Sequence, residues 1–119
     1  GLDRHVVLHS HPDEVICLSH QAFIEDKEVL YQELASSLTE LPLFLDTGIH
    51  VCSHYPPGSE ALAAASISGL QDEKALIWSK HGLLTFGSTL DAAFDYMEVL
   101  VKAAKILLSK KPSPNLART

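Results

Sequence analysis

The chain has 119 residues, of which 46% are hydrophobic and 20% charged, with a formal net charge of −6 at pH 7. This length and composition are typical of one globular domain, and the negative charge argues against general nucleic-acid binding, which requires a basic surface. The apolar stretch around Ala103 to Leu108, which Lys105 interrupts, is far too short to span a bilayer. Because Cys17 and Cys52 fit no paired motif and the first residues lack a secretory-signal pattern, we expect a cytoplasmic protein with reduced thiols.

The first half of the chain predicts short, alternating elements. Arg4 to Leu8 is typical of a strand, and a short helix should follow with Pro12 near its first position. Apolar residues at helical spacing predict a second helix over Lys27 to Leu38. The pattern weakens from Leu41 to Asp46 around a proline, and Gly48 to His54 then predicts another strand.

In the second half, Ser59 is a candidate N-cap for an Ala-rich helix running towards Leu70. Two short strands are predicted next, Ala75 to Ser79 and Leu83 to Phe86, separated by a turn. Strands and helices therefore alternate loosely along the chain. This order indicates a layered α/β domain.

The most regular pattern predicts a long last helix from Leu90 to Leu108, with Ser88 and Asp91 forming a capping-box start. The segment 110–119, which contains two prolines, is expected to be a tail. One apolar stripe at helical spacing should face the core of the domain. Its predicted members are Leu90, Phe94, Met97, Val101, Ala104 and Leu108.

Three histidines form a candidate metal site. His9 and His11 stand at i and i+2 at the end of an apolar run, so their side chains point the same way in a strand. Pro12 then redirects the chain, and His81 beside Gly82 occupies a similar strand end. Three neutral imidazoles plus an open coordination position are typical of a catalytic zinc site. The sequence therefore predicts metal-dependent chemistry with Zn²⁺ or another divalent transition metal.

Two weaker features have simpler interpretations. His50 and His54 share a predicted strand face with Cys52, a set that offers soft metal ligands, but we interpret them as ordinary strand residues. The helix start at Gly58 and Ser59 could hold an anion, although a plain helix cap is the simpler interpretation.

Several segments of the chain resemble the class II aldolase/adducin family, and the resemblance extends from Val6 to about Leu108. They are His9-Ser10-His11-Pro12, Pro57-Gly58-Ser59-Glu60 and the run from Lys80 to Phe94. The family contains zinc-dependent sugar-phosphate aldolases, a pentulose-phosphate epimerase, a dehydratase and the non-enzymatic adducins. The resemblance implies an α/β/α sandwich.

Carried over position by position, His9, His11 and His81 match the family's three metal-binding histidines, which adducins lack. Glu40 matches a glutamate that one aldolase of the family projects into the neighbouring subunit's site; the alternative is a solvated loop charge. The resemblance also implies a homotetramer with active sites between subunits. The implied activity is that of a metal-dependent lyase, which cleaves a ketose 1-phosphate such as rhamnulose 1-phosphate to dihydroxyacetone phosphate and an aldehyde.

In one respect the chain departs from the family. The family's main catalytic glutamate precedes the paired histidines, whereas only eight residues precede His9 here. We therefore expect residues 1–108 to be the C-terminal portion of a class II aldolase-like domain that lacks its N-terminal elements, followed by a tail at 109–119. A natural truncation or a chain cut in two would explain the same departure. The related epimerase or dehydratase chemistry, and a non-catalytic fragment, remain alternative functions.

Overall fold

One mixed, four-stranded sheet organises the chain, as described by a computed structural model for residues 4–110, apart from the side chains of Ala22 and Phe23. The strand order is β1-β4-β3-β2. The β1–β4 and β3–β4 pairs are antiparallel, whereas β2 and β3 are parallel. The strands are β1 (Val6–Ser10), β2 (His50–Cys52), β3 (Ala75–Trp78) and β4 (Gly82–Gly87).

Helices cover both faces of the sheet, so the predicted α/β/α layering is confirmed. The larger core lies between one face of the sheet and α1, α2, α3 and α5, and a smaller cluster lies under α4 on the other face. None of the described helices is long and apolar enough to cross a membrane. The helices are α1 (Asp13–Leu18), α2 (Lys27–Ser37), α3 (Glu40–Phe44), α4 (Glu60–Ile67) and α5 (Leu90–Ser109), with a 3-10 turn at Ala22–Glu25.

The two cores follow from the alternation of side chains along each strand. In β3, Ala75 and Ile77 belong to the larger core, whereas Leu76 and Trp78 pack in the smaller one. Successive residues of a strand point to opposite faces, so each strand contributes to both layers. By the same alternation, His9 points away from the larger core.

Several predicted helices and strands are present in the structure, although their first and last residues differ from the prediction. The hydroxyl of Ser59 accepts a hydrogen bond from the Leu62 N–H at 3.1 Å, which confirms the predicted cap of α4. The first strand lies two residues later than predicted, and β2 spans three residues of the predicted 48–54. Pro42 lies in the first turn of α3, where its missing N–H would be unpaired in any case, so it does not prevent a helix. The predicted tail beyond Lys110 lies outside the described residues.

The predicted buried stripe of α5 is wrong in phase. Leu90 is 60% exposed and Phe94 is 51% exposed, and of the predicted stripe only Met97 and Ala104 are buried. The predicted cap is also one residue off, because Thr89 accepts from the Ala92 N–H at 3.1 Å. The residues that face the sheet and neighbouring helices are Ala93, Met97, Leu100, Ala103, Ala104 and Leu107.

A contact with the sheet accounts for the phase of α5. The buried Thr85 hydroxyl donates to the Ala93 carbonyl at 2.7 Å, which fixes the first turn against β4. A Cβ at Gly87 would lie only 2.7 Å from the Ala93 nitrogen, so the helix begins in close contact with the strand. Apolar residues occupy more than one face of this helix, and tertiary contacts select which face is buried.

Candidate metal centre

Strand pairing brings the three predicted histidines together. His9 lies in β1, His11 follows it, and His81 lies in the turn between β3 and β4. The antiparallel register pairs Ser10 with Leu83, which places the end of β1 beside the start of β4. One potential ligand atom from each histidine lies within 4.8 Å of the other two. Among the described residues, Glu40 is not part of this group.

The rings of His9 and His11 have the spacing of two ligands on one ion. Their Nε2 atoms are 3.1 Å apart. Two nitrogens each about 2.0–2.1 Å from a tetrahedral zinc ion would be separated by roughly 3.3 Å. The Nδ1–H of His9 donates to the Leu83 carbonyl at 2.9 Å, and this bond leaves the Nε2 lone pair available. Such an outer hydrogen bond typically orients a metal-bound histidine.

His81 is presented by a tight turn. Lys80 has φ of +64°, and the His81 N–H donates to the Trp78 carbonyl at 3.0 Å. The Lys80 N–H donates to the Ser19 hydroxyl at 2.7 Å, which anchors the turn to the end of α1. This anchoring holds the His81 ring beside β1.

One nitrogen of the cluster has its hydrogen-bonding capacity unfilled. Within residues 4–110, the His81 Nδ1 is the buried side-chain nitrogen or oxygen without a hydrogen-bond partner. Leaving such an atom unpaired typically costs about 1–3 kcal/mol. A nearby cation, or a rearranged ring that offers this nitrogen to one, would remove the cost. The donor set of the cluster therefore fits a metal ion.

Electrostatics favours neutral imidazole at His81. Burial lowers the pKa of His81 below its usual range, and the neighbouring His9, His11 and His54 lower it further. A neutral imidazole is the form that binds metal. His81 therefore holds a free lone pair at neutral pH.

Glycine is required where the two strand ends meet. A Cβ on Gly82 would lie 2.5 Å from the Ser10 carbonyl oxygen and 3.1 Å from Cδ2 of His11. The first distance is shorter than real Cβ contacts, so any larger residue would push β1 and β4 apart. The histidine–glycine pair noticed in the sequence therefore has a steric reason.

Glu40 lies elsewhere, on the α5 side of the sheet. It is the exposed first residue of α3 and lines a cavity of about 590 Å³ with Ser10, Met97 and Lys102. The Ser10 hydroxyl contacts Met97 Sδ at 3.0 Å, so it points away from the side chain of the preceding His9. Glu40 thus begins a short helix rather than lying in a loop, and its catalytic role stays a prediction.

The remaining described histidines and both cysteines are not part of this group of ligand atoms. His50 is buried, and the Nδ1–H of His54 donates to the Ser79 carbonyl at 3.4 Å. Cys17 is exposed, Cys52 is buried and both are free thiols.

One residue that lines the site has no distinctive signal in the sequence. Trp78 lies with its ring centroid 5.0 Å from that of His9 and 4.9 Å from that of His81. Its position three residues before His81, on the predicted strand leading to the turn, was the available signal.

Comparison with known proteins identifies the family of the chain. Residues 2–108 match the model of the class II aldolase and adducin N-terminal domain. A rhamnulose-1-phosphate aldolase from Bacteroides thetaiotaomicron is 34% identical over 104 residues, which are 87% of this chain and 39% of that protein. One from Listeria welshimeri is 31% identical over 108 residues, which are 89% of this chain and 38% of that protein. The chain thus spans about two fifths of the length of these curated relatives.

Solved structures share the fold. The crystal structure of a sugar-phosphate aldolase from Thermotoga maritima superposes with a TM-score of 0.73 at 29% identity, covering 89% of this chain and 47% of that one. An L-fuculose 1-phosphate aldolase superposes with a TM-score of 0.66 at 18% identity, covering 94% of this chain and 52% of that one, which shows the fold alone. Because the family model matches nearly the whole sequence, the chain belongs to the class II aldolase and adducin family, as its motifs predict.

Proposed function

We propose that this chain provides the metal-binding part of a class II aldolase that cleaves a phosphorylated ketose. His9, His11 and His81 are the proposed ligands of Zn²⁺ or another divalent transition metal. The observation that carries the proposal is the convergence of three imidazoles within 4.8 Å at the ends of paired strands. His9 and His11 are exposed, which leaves the cluster open to a substrate.

The ligand set suits the proposed chemistry. Neutral imidazoles leave the full positive charge on the ion, whereas thiolates would diminish it. A bound divalent metal would supply Lewis-acid polarisation of the substrate's carbonyl and hydroxyl oxygens. The residues of this chain hold the ligands in place: the Leu83 carbonyl orients His9, and the turn anchored at Ser19 presents His81.

The proposed substrate is a ketose 1-phosphate such as rhamnulose 1-phosphate, the sugar phosphate named for two of the relatives. In the cleavage, the bond between C3 and C4 breaks and its electron pair stays with the three-carbon unit. The C4 hydroxyl loses its proton as the aldehyde forms, and a proton is added at C3 to give dihydroxyacetone phosphate. A carboxylate is suited to these proton transfers.

Glu40 is the proposed contributor to a neighbouring subunit's site. It is exposed on the α5 side of the sheet, so a second subunit packed there could receive it. We propose the homotetramer of the family as the assembly that creates such a site.

Zinc binding tests the proposal directly. We expect the purified chain to bind one Zn²⁺ per molecule and His81→Ala to lose it, measured by metal analysis after dialysis. His20→Ala is the matched control, because His20 is exposed and outside the cluster. Zinc at about 100 times its Kd should stabilise the folded chain by about 2.7 kcal/mol, measured as a higher melting temperature that a chelator reverses. Absence of bound zinc in the folded chain, or its retention by His81→Ala, would contradict the assignment.

Substrate assays in the full-length protein that contains this chain distinguish the chemistries. Release of dihydroxyacetone phosphate from rhamnulose 1-phosphate supports the aldolase. Epimerisation of a pentulose 5-phosphate without cleavage would instead assign the related epimerase activity. If zinc is bound and neither reaction occurs, the aldolase assignment fails while the metal site stands.

A further inference from the structure

We propose that Trp78 and Ser66 together position the metal-binding histidines, in particular His81, and so set the affinity of the site for its metal. This inference rests on the proposed function, because it assigns roles relative to the proposed ligands. Trp78 is a positioning residue here: its ring contacts two ligands, whereas its indole N–H bonds elsewhere.

The Trp78 ring forms one wall of the histidine cluster. It stacks on His81 with an interplanar angle of 28° and meets the His9 ring edge-on at 62°. His81 also stacks on His11, with ring centroids 5.2 Å apart and planes 10° from parallel. The His81 ring therefore stacks on two flat neighbours, Trp78 and His11.

This packing matters more for His81 than for His9. The His9 ring is oriented by its hydrogen bond to the Leu83 carbonyl. No described residue hydrogen-bonds to the His81 ring, so whichever of its nitrogens would bind the metal, the other has no outer partner. A metal-bound histidine normally receives its orientation from an outer hydrogen bond, so ring stacking must take over that task at His81.

Trp78 is itself fixed through Ser66 on α4. The indole Nε1–H donates to the Ser66 hydroxyl at 2.7 Å, and that hydroxyl donates to the Leu62 carbonyl at 2.6 Å. Indole has one donor and no acceptor, so this bond selects one ring orientation for the half-buried side chain. The chain of contacts runs from the backbone of α4 to the His81 ring.

The test compares variants that each remove one of these contacts. Trp78→Leu removes the flat wall, Trp78→Phe keeps a flat ring without the N–H, and Ser66→Ala removes the anchor. Ser37→Ala is the matched control, because Ser37 is also a half-buried helical serine whose hydroxyl donates to the carbonyl four residues earlier, at 2.7 Å. Zinc affinity is measured by competition with a chromophoric chelator, and metal-free stability by urea unfolding.

We expect Trp78→Leu to weaken zinc binding by about tenfold, at the low end of the effect of outer-shell residues, and Ser66→Ala, which acts through Trp78, to weaken it by a smaller factor of about three or more. Trp78→Phe should restore most of the affinity lost in Trp78→Leu, since it keeps the stacking surface. Ser37→Ala should leave the affinity unchanged. If Ser66 had a purely structural role, Ser66→Ala and Ser37→Ala would both lower metal-free stability, and the two variants would bind zinc with the same affinity.

Fluorescence supplies a second readout. Trp78 is the only tryptophan in the sequence, so all indole emission comes from the wall of the proposed site. Co²⁺ quenches indole emission at short range, so titration of the wild type should quench it with one ion per chain. Ser66→Ala should show weaker quenching at saturation, because the released ring samples positions farther from the ion.

The outcomes separate this inference from the proposed function. If the wild type binds no metal, the proposed function fails. If the wild type binds zinc and both folded Trp78→Leu and Ser66→Ala bind it equally tightly, the positioning role is wrong and the metal site stands. Should Trp78→Leu not fold, the comparison of Ser66→Ala with Ser37→Ala decides.

Discussion

The Lys27 ammonium lies 3.3 Å from Nδ1 of His50, at the edge of the sheet where β2 begins. The His50 side chain is only 3% exposed. Burial lowers the pKa of His50, and the Lys27 charge lowers it further, against smaller opposite effects of Glu73 and the Ser68 backbone. The folded chain therefore keeps this buried imidazole neutral.

This relationship predicts that His50 contributes to acid destabilisation. Its pKa in the unfolded chain is near 6.5, and the folded value lies below that. Between the two values the unfolded state binds more protons, so the free energy of unfolding falls as the pH drops below about 6.5. We expect His50→Gln to show a shallower loss than the wild type, measured by urea unfolding of the metal-free chain from pH 8 to pH 5.

The matched control for this experiment is His20→Gln, which changes an exposed histidine and should keep the wild-type pH slope. Some slope should remain in His50→Gln, because burial also lowers the pKa of His81. If the free energy of unfolding depends on pH equally in the wild type and in His50→Gln, His50 does not contribute to the acid destabilisation.

Substitution of Gly82 should damage both the strand pair and the site. In Gly82→Ala the new methyl group would meet the Ser10 carbonyl oxygen and the His11 ring. We expect a loss of about 2 kcal/mol or more in the free energy of unfolding, as for an overpacked core. The forced separation of β1 from β4 should also weaken zinc binding, measured by chelator competition.

Gly58→Ala is the control for Gly82→Ala. Gly58 has φ of +75° but nothing within 4 Å of its would-be Cβ, so only backbone strain applies. That strain costs about 1 kcal/mol and should leave zinc affinity unchanged. If Gly82→Ala is no more harmful than Gly58→Ala, the close approach of the strands is not required.

The corrected phase of α5 can be tested by two leucine truncations. Leu100 is fully buried, whereas Leu90 is 60% exposed and belongs to the stripe predicted from sequence. Leu100→Ala should cost about 2–5 kcal/mol through lost burial and a cavity. Leu90→Ala should stay within about 1 kcal/mol of the wild type in urea unfolding, since most of its side chain already contacts water. A larger loss in the free energy of unfolding for Leu90→Ala would show that the stripe predicted from the sequence is the buried face.

Much of the candidate site could be predicted because its signals are local. The spacing of His9 and His11 in a strand fixes a shared direction, and Gly82 next to His81 indicates close approach of backbones. Trp78 was missed because a tryptophan in a strand is ordinary, and only its distance to the His81 ring gives it a role.

The sequence by itself determined the family, the α/β layering, the cap at Ser59 and the three candidate ligands, because each depends on residue types at short, fixed spacings. Only the tertiary structure decided which face of α5 is buried and that Glu40 lies apart from the histidines. Both depend on contacts between distant segments, such as the hydrogen bond from Thr85 to the Ala93 carbonyl. The apolar residues of α5 allow more than one face of the helix to be buried, and packing against the sheet selects one of them.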